Sequence, residues 1–133
     1  MRSPFKTSIP FAVGIAALAL APLAAQADMK SEVVTAATHA NLAASASDLA
    51  GTHSHLHHAL NCLVGPGGTG FDDKELNPCA QNGHGAIPDT ADAVTKKSLM
   101  AAADKARAGI AAGDLKSAQK DASETASMLK AVK

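Results

Sequence analysis

The sequence predicts an all-α fold, an antiparallel three- or four-helix bundle with a long disulfide-tied loop. Three observations carry that reading. Leu42, Leu49, Leu56 and Leu63 recur every seven residues, with His39, Ala46, His53 and Leu60 three positions ahead of them, which is the spacing of a helical seam. Leu99, Ala103, Ala106 and Ile110 form a second stripe, and Leu115, Ala118, Ala122, Thr125, Leu129 and Val132 a third. Each has the spacing that puts its members on one helix face. The helix of the second stripe runs to about Ala112 and that of the third follows Gly113-Asp114, and so short a turn joins helices as an antiparallel hairpin.

The elements are justified in chain order. Arg2 and Lys6 precede an uncharged apolar run over 9–25, which ends in the small residues Ala25-Gln26-Ala27. A basic start, a short apolar centre and small residues at the processing point are the pattern of a secretory signal peptide. Cleavage is expected before Asp28. Residues 1–27 are then an address, and residues 28–133 are a single helical domain, periplasmic or secreted, with no stable membrane span. Processing removes two basic residues, leaving ten against twelve acidic ones and a net charge of −2. That balance, with no Trp and no Tyr, argues against a nucleic-acid partner.

The first helix is expected over 29–64. This stretch has no proline and a single glycine, Gly51, and the leucine seam passes through Gly51 in phase. One long helix is therefore the primary expectation, and a break at Gly51-Thr52 the alternative that gives four helices. Gly65-Pro66-Gly67-Gly68 ends it, because glycine supplies a left-handed cap and proline cannot continue the ladder. The loop spans 65–88. A helical hairpin over 89–132 follows, capped by Asp89 or Thr90 and re-started at Gly113-Asp114. Phe71 is the last aromatic residue after the leader, so the core is thin. It must rely on close helix approach, a covalent staple, a metal or self-association. The seam Leu42, Leu49, Leu56 and Leu63 offers the last of these, a homo-oligomer.

The two cysteines, Cys62 and Cys79, are expected to bond to each other, since the compartment is oxidising. The spacing is neither CxxC nor CxxCH, so thioredoxin-like chemistry and covalent haem are not indicated. The ring they close stabilises by about 3 kcal/mol on the chain-entropy model.

Four of the six histidines lie between His53 and His58. On a helix, His55, His58 and Cys62 share one stripe, and His53 and His57 share another roughly 150° away. Imidazoles three or four residues apart can reach one ion, and imidazole suits copper and zinc. His84 follows Cys79 by five residues, within about 17 Å of chain. The expected site is therefore His55, His58 and His84, organised by the disulfide, with His53 and His57 as a weaker pair. His39 is excluded, standing about 27 Å from His57 along a straight helix. HExxH is absent, the Gly-rich 65–70 lacks a phosphate-loop ending, and Asp72-Asp73-Lys74-Glu75 reads as a solvated turn. No catalytic residue is expected and the protein is not read as an enzyme.

An export signal, small Ala-rich helices and the cluster His53 to His58 together resemble the small periplasmic His-rich helical metal-binding proteins. The similarity is one of architecture and composition. Members of that group tend to carry His on every helix, whereas here none follows Asp89, which favours one localised site over bulk storage. The function expected is binding of copper or zinc for buffering, delivery or tolerance. The alternative is a structural or protein-interaction module in which metal plays no part.

Overall fold

A computed structural model describes the backbone of residues 21–132 and the side chains of residues 28–132. Most of the expected signal peptide therefore lies outside the described residues. The described chain is all-helical: α1 (Ala21–Ala44), α2 (Leu49–Val64), α3 (Ala86–Asp89), α4 (Ala93–Ala111) and α5 (Leu115–Lys130). None of these helices is long and apolar enough to cross a membrane.

The single helix expected over 29–64 is in fact two, and the break falls at residues 45–48, ahead of Gly51. Ser45 turns its hydroxyl back onto the Asn41 and Leu42 carbonyls, which serves the open end of α1. Asp48 then caps α2, its backbone extended at φ −146° and its carboxylate accepting the Gly51 N–H at 2.7 Å. Gly51 thus sits in the first turn of a new helix, where a cap supplies its partner. The chain reverses across this turn, bringing the Thr52 hydroxyl to 3.2 Å from the Ala43 carbonyl. The seam breaks with it: Leu56 and Leu63 are fully buried inside the chain's own core, while Leu42 is 43% exposed. The expected assembly surface is not a continuous stripe.

α1 packs against α2 and α5, and α4 packs against α5 and α2. Together they enclose one core in which Leu56, Leu60, Leu63, Leu99 and Leu129 are the bulky members and alanine supplies most of the rest. Small side chains let backbones approach. A Cβ on Gly109 of α4 would come within 2.6 Å of Leu56 Cδ1 and 3.1 Å of Asp121 Cβ, so any larger residue there makes the Leu56 side chain shift within the core. The α4–α5 junction falls where expected, but Gly113 does not adopt the left-handed conformation. Ala112 closes α4 with φ −66°, and Asp114 caps α5 by accepting the Ser117 N–H. Likewise α4 starts later than expected. Asp92 caps it, while Asp89 ends the short α3 inside the connector.

Gly65 ends α2 as expected, with φ +67° and its N–H on the Asn61 carbonyl. A Cβ there would overlap the His84 carbonyl at 1.6 Å, so the two ends of the connector cross backbone to backbone. Cys62 and Cys79 are joined by a disulfide, with Cα atoms 5.1 Å apart. Glu32 of α1 holds the far end: fully buried, it accepts the Gly85 N–H at 2.8 Å. Burial pushes its carboxyl up to about 7, aided by nearby Asp89 and Asp28 and opposed by the Gly85 hydrogen bond. The folded state therefore binds this proton more tightly than the unfolded chain does. The stability it contributes is complete below about pH 4.5 and is lost as pH rises through about 7. Glu32→Gln keeps an acceptor for Gly85 and removes the charge. Urea melts should find it close to wild type at pH 4.5 and more stable at pH 8, on the order of 2 kcal/mol. An equal difference at both pH values would refute this account.

Candidate metal centre

The reversal at residues 45–48 decides which histidines meet. Once Ala43 faces Thr52, His39 one turn before the first faces His55 about one turn after the second. Their Nδ1 atoms stand 3.4 Å apart. His58 lies one turn beyond His55 on the same face. The three ring centroids form a triangle of 5.7, 5.1 and 5.5 Å. One nitrogen from each ring lies within 4.8 Å of the others. Imidazole nitrogens sharing a tetrahedral zinc at 2.0–2.1 Å stand about 3.3 Å apart, so the His39–His55 edge already has that length. Among the described residues no other set of three His, Cys, Asp or Glu converges so closely.

The remaining predicted ligands are placed elsewhere. His84 is the main correction. Its backbone N–H donates to Asp89 at 2.8 Å, its Nδ1 lies 3.2 Å from the same carboxylate, and its side chain is 89% exposed. The disulfide forms as expected, but the chain after Cys79 is drawn to Glu32 and Asp89 instead of back over His58. Glu32 is two turns before His39 on α1, about 10 Å along the axis. His53 and His57 do not act as a pair either. His53 donates from Nε2 to the Ala112 carbonyl at 3.0 Å, serving the end of α4, and His57 turns to Asp72 at 3.8 Å.

Two participants escaped the sequence reading. On a straight helix over 29–64 His39 lies out of reach; Ser45-Ala46-Ser47-Asp48 is the sequence sign of the turn that folds residue 39 onto residue 55. Glu75 belongs to the edge of the site and not to a solvated turn. Its Oε2 accepts from the Ser54 hydroxyl at 3.0 Å and lies 3.4 Å from His58 Nε2. Buried Asn61 explains how a loop carboxylate gets there. Its amide nitrogen donates to the Asp72 and Leu76 carbonyls at 2.9 and 3.2 Å, and its oxygen accepts the Asp72 N–H at 2.9 Å. One side chain thus pins the backbone of residues 72–76 onto α2.

The electrostatics favour neutral rings. Burial lowers the His39 pKa below the usual histidine value, and charge on His58 or His55 lowers it further. Burial likewise lowers His58; Glu75 opposes this, and His55 and His57 add to it. Neutral imidazole is the form that ligates a metal. Ligating as neutral imidazoles, the rings would add no charge to an ion; the cysteines are committed to their disulfide, and a tetrahedral ion held here would keep its fourth position open. The same Nδ1 contact also suits an N–H···N hydrogen bond between neutral rings, so it does not itself require an ion. Comparison of the chain with protein-family models, curated proteins and solved structures found no match.

Proposed function

We propose that the protein is exported and binds one transition-metal ion, copper or zinc, through His39, His55 and His58, for buffering, delivery or tolerance. The carrying observation is the convergence of three imidazoles from two helices on one point. The chemistry of the donor set supports it: neutral nitrogen ligands suit zinc and copper over magnesium or calcium. His58 adds a second support, because its Nδ1 is buried with no hydrogen-bond partner and an ion would supply one. The four longer helices act as a bundle that fixes the ligands, and the disulfide suits an oxidising compartment. Binding, not catalysis, is the role we assign. This is a localised relative in kind of the His-rich periplasmic metal binders.

Calorimetric titration of the full chain with zinc or copper tests the proposal. One ion per chain is expected, and a stoichiometry near zero would end it. Affinity should fall in acid, below the free-histidine value of about 6.5, because proton and metal compete for the same nitrogens. Since burial lowers His39 and His58, those two rings stay neutral to lower pH than free histidine.

A further inference from the structure

Resting on the reading that the three histidines hold a metal, we propose that Glu75 is the positioning residue of the site, selecting the His58 nitrogen that ligates. An imidazole that donates from one nitrogen presents a lone pair at the other. His58 Nε2 faces the Glu75 carboxylate at 3.4 Å, and His58 Nδ1 is buried without a partner. Glu75 receives the Nε2–H and leaves Nδ1 for the ion. A carboxylate in that place also fixes the ring and strengthens the nitrogen opposite as a donor. Glu75 is not itself in the converging ligand group, so it acts through His58.

The placement is built and not incidental. The Ser54 hydroxyl, one turn before His58, holds Oε2, and Asn61 fixes the backbone on either side. Asp72, anchored by the same asparagine, faces His57 at 3.8 Å. His57 is outside the converging group, so Asp72 supplies an internal control for loop charge in general.

The test uses the full chain at one pH. Glu75→Ala should keep one zinc per chain and bind it about 10- to 100-fold more weakly. Glu75→Gln preserves an acceptor for Ser54 and so preserves the loop; it should also lose affinity, less severely. Asp72→Asn should bind within about twofold of wild type. Nitrogen-15 NMR of the metal-free chain should find the His58 proton on Nε2, and in Glu75→Ala redistributed toward Nδ1. Wild-type affinity in both Glu75 variants, equal losses at Asp72 and Glu75, or an Nδ1–H tautomer in the wild-type chain would each overturn the proposal while leaving the metal site standing. Failure of the wild-type chain to bind zinc would overturn the metal reading itself, and this assignment with it.

Discussion

His39→Ala is expected to abolish stoichiometric zinc binding, and His84→Ala to leave it unchanged. The contrast is sharp because sequence spacing alone ranks the two residues the other way. Without His39, the ion keeps only His55 and His58, one turn apart on α2. The loss should be at least about a hundredfold, at or beyond the upper end for outer-sphere partners. His84 contacts Asp89 and is 89% exposed, so its truncation removes nothing from the cluster. Calorimetry of both variants, with circular dichroism to verify folding, is the check. Loss of binding in His84→Ala, with His39→Ala unaffected, would restore a site between the loop and α2 and discard the hairpin site.

Removing the disulfide is expected to have the largest effect on stability. Cys62 and Cys79 are both buried and close a ring at a sequence separation of 17. Losing that constraint in Cys62→Ala/Cys79→Ala should cost about 3 kcal/mol. In a domain of this size this lowers the melting temperature by roughly 10 to 20 °C. The alanine-rich core makes the cost hard to absorb, since few bulky contacts stand in reserve. The connector also keeps Asn61 at one side and Glu32 at the other. The cross-linkless chain, where still folded, should therefore retain zinc binding. A drop of only a few degrees by calorimetry would mean that these two side chains hold the connector unaided.

The fold was legible where the signal is local. The Gly65 stop, the Asp114 restart and the stripes on α4 and α5 are written in adjacent residues. The disulfide needed only two cysteines and the expectation of export that the leader pattern raises. The break in the first helix was obscured because the leucines kept their seven-residue spacing across a turn. Phase then argued for continuity while Ser45 and Asp48, a stop and a cap, argued against it. The same turn decides the composition of the site. His55 and His58 could be found because i and i+3 share a face on any helix. His39 depends on how α1 and α2 fold together, and Glu75 on a buried asparagine gripping main-chain atoms; neither contact has a period or a motif. His84 looked suitable because chain length permits many destinations, and length says nothing of the carboxylates that compete for the segment.

The donors are divided between two helices joined by a tight reversal. In an extended chain, His39 and His55 would be separated by up to about 55 Å, leaving no shared coordination sphere. Under the export reading, a polypeptide threaded through a translocation pore would arrive without cargo. It would acquire its ion only after the hairpin closes on the far side, so loading would sense the destination compartment's supply and not the one where synthesis took place.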